Sequence, residues 1–405
     1  MEKHALNTID PEILGERLAA ARRGRRLTQQ QAGEEIGVAR TTITAMEKGD
    51  RRPRASELVK LAHLYGRRVQ EFVGVGTEPK PNFVVQFRAV RGAEGVTSNA
   101  DIQRFEELCR WYVELEEQLG ASLPRRYPAV YDVSGTSPER AAEEVASSER
   151  NRLGLGDAPI ENVWGLLETD IGLRVFAMPM ANARIAGMFL YTEEYGGCIA
   201  VNAHHPEERR RWSAIHEYGH FLIERFKAEI TVLNSSRRVP ESERFADAFA
   251  RFFLMPATGL SRRFEAMRRV KNSPITPTDV LALSHRYHVS VQAMTWRLEE
   301  LKLLPAGTWD RLHDMGFKPN KARELVPLPG HAPELPNLPL RYEALAVQAY
   351  GTGHLTEGQL AMRLGTDRVG ARARVRELTT ESEPAEDGGW QQVPLDLTTA
   401  LVGPP

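Results

Sequence analysis

The string His216-Glu217-Tyr218-Gly219-His220 constrains this chain more than any other stretch. Two histidines four residues apart share one face of a helix, with room for a metal between the rings. Glu217 sits beside them. In this HExxH spacing two neutral imidazoles hold zinc, and the carboxylate between them takes a proton from a water that the metal has acidified. The flanks read as helix: Pro206, Glu207 and Glu208 suit a first turn, where no amide partner is lost and acids meet the positive end of the dipole. Trp212, Ile215, Gly219, Leu222 and Phe226 then recur as one buried stripe. Gly219 costs a helix about 1 kcal/mol. Close approach of another element beneath the metal would explain it.

That element is visible downstream. PESERFADAFARFFLMP, from Pro240, reads as a second helix with Pro and Glu241 in its first turn and Pro256 at its end. Glu243 and Asp247 share one face, with the small Ala246 and Ala250 beside them to permit close helix packing. Glu243 lies 23 residues after His220, enough for a loop and a return. It would complete two imidazoles and a carboxylate and leave a fourth position open. Asp247, one turn on, can accept the free N–H of a ligating histidine, with His216 the first choice.

HEYGH followed by ERFADAFARFFLMP resembles the ImmA/IrrE family of metallopeptidases, whose pattern is HExxH and then a Glu ligand in an E-x-x-A-(D/N)-x-F-A segment ending in LMP. The segment IENVWGLLETDIGLRVFAM, the strand CIAVN and the Arg-rich RRRW fit the same family, and the resemblance covers roughly residues 130 to 300. It implies His216, His220 and Glu243 as zinc ligands and Glu217 as general base. The family's usual task is cutting or disabling a repressor that carries a helix-turn-helix.

Residues 1 to 70 hold 14 Lys/Arg against 9 Asp/Glu, an excess hidden by the near-neutral whole, 53 basic against 54 acidic. Asp10 and Pro11 open a helix to about Arg23. Thr28 to Gln31 form a capping box for a second, and Ile36-Gly37-Val38 is a tight turn before a third from Ala39 to about Lys48. LTQQQAGEEIGVARTTITAMEKG resembles the lambda-repressor/Cro-like (XRE-type) helix-turn-helix, with small Ala32 and Gly33 as departures. Docking of such a unit brings the start of the third helix into the major groove. Ala39, Arg40, Thr41 and Thr42 are therefore the candidates for base edges, Arg40 for guanine and Thr42 for a thymine methyl. Gln29, Lys48, Arg51, Arg52 and Arg54 are candidates for phosphates. Arg22, Arg23, Arg25 and Arg26 stay open between phosphate contacts and a solvated face.

Elsewhere the chain gives less. Residues 74 to 100 are rich in Gly and Pro, and the helix that follows, to about Leu119, could be a spacer, a dimer helix or a support. A helical run from Pro138 precedes three strands, Leu173 to Met178, Ile185 to Tyr191 and Gly197 to Asn202, whose sheet offers an edge for an extended peptide. His204, His205, Arg184 and Tyr218 are the candidates to stabilise an oxyanion. His285 and His288, three apart without a third ligand, read as packing. Beyond a proline-rich linker, LTEGQLAMRLGTDRVGARARVREL repeats the spacing of the first helix-turn-helix. It reads as a protein-contact unit before a second DNA reader. Cys109 and Cys198 make no disulfide framework. The start of the chain has no apolar signal region, and no apolar run reaches membrane-spanning length.

The expected architecture is α+β and mostly helical. An all-α helix-turn-helix fills residues 1–74, a linker and helical spacer 75–130, and a zincin-like peptidase domain 131–304. A Pro-rich linker and helical domain follow over 305–380, and a disordered acidic tail over 381–405. The expected cofactor is zinc; the partners are double-stranded DNA, a protein substrate of the helix-turn-helix repressor type and a second copy of the chain. The location is cytoplasmic, with no membrane contact. A regulator whose zincin-like domain only senses or binds is the alternative.

Overall fold

The structure is a computed structural model that describes residues 10–24, 27–65, 69, 72, 99–227, 229–232, 239–271, 274–326, 328, 337–384 and 390–394. The chain divides into two compact units, residues 1–91 and 92–405.

The first unit packs α1 (Pro11–Gly24), α2 (Gln29–Ile36), α3 (Arg40–Glu47) and α4 (Ala55–Tyr65) around Leu14, Leu18, Ile36, Ile43, Met46 and Leu61. Thr28 and Gln31 make the expected capping box, and Gly37 closes α2 in the left-handed region at φ 78°. Gly33 has a reason to be small: a Cβ there would lie 2.7 Å from the Val38 carbonyl oxygen.

The second unit is built on a four-stranded sheet in the order β1-β3-β2-β4. Before it come α5 (Asn99–Leu119), α6 (Pro138–Arg152) and α7 (Val163–Gly165), the last continuing into a π turn, Leu166–Ile171. The strands are β1 (Arg174–Met178), β2 (Ile185–Thr192), β3 (Gly196–Asn202) and β4 (Glu229–Val232), with α8 (Glu207–Glu224) between β3 and β4. β1 runs parallel to β3, and β2 antiparallel to both β3 and β4. Phe189, Ile199, Val201 and Val175 belong to the core shared with α8, while Phe176, on the opposite face, meets Phe105 and Tyr112 of α5. Strand residues alternate between two helical layers, which is why each strand is apolar throughout.

Three expectations change. The sheet has a fourth strand, β4, and it is β4 that covers β2. A four-residue strand after a helix has too short a pattern to read from sequence. The other outer strand, β1, donates its Ala177 N–H to the Asn337 carbonyl. The buried stripe of α8 ends at Leu222; Phe226 lies past the helix, 74% exposed, against Tyr191.

After α8 the chain continues through α9 (Glu241–Leu254), α10 (Ala257–Lys271), α11 (Pro277–Arg286), α12 (Val291–Glu300), α13 (Thr308–Asp314) and α14 (Pro319–Leu325). His288, at positive φ between α11 and α12, faces Glu161 at 3.3 Å. The last group is α15 (Leu340–Gly351), α16 (Glu357–Leu364), α17 (Arg368–Thr379) and the ladder of β5 (Thr380–Pro384) with β6 (Trp390–Pro394). The tail expected to be disordered from 381 therefore carries two paired strands. Acidic composition argues against a packed core but does not prevent two strands from pairing through their backbones.

Ion pairs and aromatic contacts link segments on either side of residues 130 and 304. Glu116 of α5 joins Arg174 of β1 at 2.5 Å and Arg341 of α15 at 2.7 Å, and Arg363 of α16 joins Glu114 at 2.9 Å. Tyr342 is fully buried against Tyr112 and Phe176. So α5 is a support for the sheet, and the C-terminal helices pack on it. Arg372 and Arg374 pair with Glu357 and Glu343. A second DNA reader would lose two of the four arginines it needs. Among the described residues no helix is long and apolar enough to cross a membrane.

Candidate metal centre and nucleic-acid interface

α8 and α9 bring three ligand atoms together. Nε2 of His216 and Nε2 of His220 are 3.2 Å apart. Glu243 turns one carboxylate oxygen to each, 3.4 Å from His216 and 3.6 Å from His220. Tetrahedral zinc with bonds of about 2.0–2.1 Å spaces its ligand atoms about 3.3–3.4 Å apart. The three distances bracket that edge, so the donor set fits a zinc-sized ion. Among the described residues it is the one such group of histidine, cysteine and acidic side chains.

The surroundings favour a cation too. Burial opposes charge on His216, but hydrogen bonds with Asp247 and Glu243 outweigh it and push the imidazole up to about 10. Burial and the neighbouring His216 push His220 down to about 3. The carboxyls of Glu243 and Asp247 are resisted by burial yet fall below the usual range, chiefly through His216. Two acids thus stand beside two imidazoles, a negative charge that a divalent ion can balance.

Asp247 Oδ1 is 2.9 Å from Nδ1 of His216. That contact fixes the proton on Nδ1 and turns the Nε2 lone pair toward the ligand cluster. Asp247 is itself held by the Trp212 side chain. Sequence reasoning placed Trp212 only in the buried stripe; its position four residues before His216, the partner of Asp247, carried no signal of that contact. Gly219 does sit under a close crossing, since a Cβ there would lie 3.1 Å from the Ala246 Cα of α9.

Glu217 is fully buried on the sheet side of α8. It packs against Gly187 of β2, a residue sequence reasoning passed over although a lone glycine inside a strand signals close approach. The oxyanion candidates separate. Tyr218 donates to Glu149 in the core and accepts from Arg152, so its hydroxyl is committed away from the ligand cluster. His205 engages the Ala183 carbonyl at 2.8 Å and His204 is exposed.

In the first unit Ala39 caps α3 and is exposed with Arg40 and Thr41, while Thr42 is half-buried. Lys48 is exposed. Gln29 donates to Glu47 at 2.8 Å and accepts from Thr44 at 3.0 Å, tying α2 to α3. Arg51 reaches Glu57 at 2.9 Å, and Arg52 is half-buried. Arg22 forms a two-pronged pair with Glu47, so it serves the fold; Arg25 and Arg26 lie outside the described residues.

Comparison with known proteins agrees with both units. Residues 18–72 match the family model described as helix-turn-helix, and residues 168–299 match that described as IrrE N-terminal-like domain. Residues 18–72 are an XRE-type helix-turn-helix and residues 168–299 an IrrE-like domain. The IrrE-like domain is of metallopeptidase type, and its matched range holds all of His216, Glu217, His220, Glu243 and Asp247. An uncharacterized HTH-type transcriptional regulator of Bacillus subtilis, YobD, is 33% identical over 66 residues, 16% of this chain. The chain spans 59% of that relative's length. A solved structure of Bacillus thuringiensis PlcR with the peptide PapR7 and DNA aligns over 90% of this chain and 91% of its own, at 12% identity. Its TM-score of 0.16 is too low to bear on this fold.

Proposed function

We propose that this chain is a transcription regulator that reads double-stranded DNA through its helix-turn-helix and carries its own zinc endopeptidase. The observation behind the peptidase half is the convergence of His216, His220 and Glu243 at zinc-ligand spacing, with Glu217 buried beside them. Zinc, when bound, would acidify a water and polarise the scissile carbonyl. The chain's residues divide the remaining work. His216 and His220 offer neutral nitrogens and Glu243 a negative charge. Asp247 keeps the His216 proton on Nδ1. Glu217 accepts a proton at its carboxylate from the attacking water and returns it to the leaving amine. The N–H and C=O groups on the outer side of β4 offer an extended peptide a strand to pair with.

On the DNA side, Ala39, Arg40, Thr41 and Thr42 meet base edges, while Lys48 and Arg52 hold phosphates with Gln29 and Arg51 bracing the unit around them. Paired half-sites would be read by a homodimer. The substrate is a repressor-type protein with its own helix-turn-helix, or this chain itself, and cleavage changes transcription in a stress or mobile-element response in the cytoplasm. The domains are those of residues 1–74 for DNA and 131–304 for peptide cleavage.

The test compares new protein N-termini in cells expressing wild type or Glu217→Gln under several stresses. A terminus that arises with wild type alone names substrate and bond. If none arises while both proteins occupy and regulate the same DNA sites, the reading gives way to a regulator whose IrrE-like domain senses or binds without cutting.

A further inference from the structure

β2 presents Gly187, Phe189 and Tyr191 on the face that meets α8, because every second strand residue shares a face. Phe189 stacks edge-on against Phe221 of α8, with ring centroids 5.8 Å apart. One helical turn earlier on α8 stands Glu217, and one strand step earlier on β2 stands Gly187. The place where a strand side chain would fill this layer is taken by the Glu217 side chain instead. A Cβ on Gly187 would lie 2.4 Å from Oε1 of Glu217 and 3.0 Å from both Cδ and Cγ. All three nearest atoms belong to that one side chain.

The strand is held where this fit requires it. Asn202, fully buried at the end of β3, donates through Nδ2 to the Ile185 carbonyl at 3.0 Å. Its own oxygen accepts the His204 N–H at 3.1 Å, so the amide is used at both ends. The register of β2 against β4 shifts between Ile185 and Gly187, just before the strand reaches this recess.

We infer that Gly187 is a positioning residue for Glu217: its missing side chain is the recess that seats the carboxyl group beside the metal ligands. The inference rests on the reading of Glu217 as the proton carrier, but its geometry can be tested without that reading. The recess is a matched pair, so enlarging residue 187 should cost only when residue 217 is long.

The experiment introduces Gly187→Ala into the full chain in three backgrounds: native Glu217, Glu217→Asp and Glu217→Ala. Thermal unfolding and zinc affinity, by competition with a chromophoric chelator, are measured for each. Gly187→Ala should lower Tm by roughly 2–4 °C beside native Glu217, by less beside Asp, and should leave it unchanged or raise it beside Ala. Zinc affinity should stay within about twofold, because the ligand atoms lie on other side chains. An equal fall in Tm in all three backgrounds would mean that the strand backbone needs glycine for its own sake, and would overturn the inference. So would a tenfold loss of zinc affinity in Gly187→Ala. Should Gly187→Ala fail to fold alone, its rescue by Glu217→Ala supports the pairing and continued failure overturns it. Absence of any cleaved protein in cells would sink the peptidase reading and leave this cycle standing.

Discussion

At the scale of single residues, the site depends on contacts that a motif does not list. Asp247→Ala removes the acceptor for the His216 Nδ1 proton, and a lost partner of this kind costs about 10–100-fold in metal affinity. Chelator competition should find a loss in that range, with Trp212→Phe giving a smaller one because the indole acts on Asp247 and not on the ring. Nδ1 of His220 is buried with no hydrogen-bond partner among the described residues, so no equivalent substitution exists on that side. Equal affinity in wild type and Asp247→Ala would remove Asp247 from the metal's support. Glu217→Gln should keep zinc and lose hydrolysis, which separates proton transfer from ligation.

At the scale of elements, close approach decides which small residues are tolerated. Gly219 faces the Ala246 backbone of α9, which cannot swing aside as a side chain would. Gly219→Val should destabilise the second unit by about 1–3 kcal/mol through overpacking, and weaken zinc binding because α8 and α9 both carry ligands. Urea unfolding with and without zinc measures both effects; an unchanged midpoint would mean the helices can part freely. Gly33→Ala is the counterpart in the helix-turn-helix. A helix interior gains up to about 1 kcal/mol from that change, but the Val38 carbonyl 2.7 Å from the new methyl should reverse the sign. A more stable Gly33→Ala protein would show that the turn after α2 yields.

At the scale of the whole molecule, the second unit is held by charges buried between distant segments. Glu116 serves Arg174 and Arg341 together, with its side chain 3% exposed. Removing one partner of a buried ion pair costs about 3–5 kcal/mol, since the remaining charge is left in low dielectric. Glu116→Gln should therefore lower stability by that order in chemical denaturation, and loosen the C-terminal helices from α5 as seen in hydrogen exchange at Tyr342 and Leu345. Zinc, in turn, should raise Tm in proportion to the logarithm of its concentration over Kd, and a chelator should reverse the rise. A Tm indifferent to zinc would argue against the ligand set.

Much of this was open to reading in the chain itself. The HExxH spacing, the Glu243 and Asp247 pair four apart, Gly219, the Thr28-Gln31 capping box and the left-handed Gly37 are local features, fixed by helical period and by backbone sterics. Such features need no partner to be recognised. What the tertiary structure decided involves residues far apart in sequence. β4 pairs with β2 across the whole of α8, and α15 returns to α5 across more than half the chain. Tyr218 could face the metal or the core by its position alone; the Glu149 carboxylate from α6 chose the core. Gly187 was legible only as an exception within a strand, and the Glu217 side chain that explains it arrives from another element. Sequence carries the period of each element, whereas the meeting of two elements is set by packing, which no local pattern records.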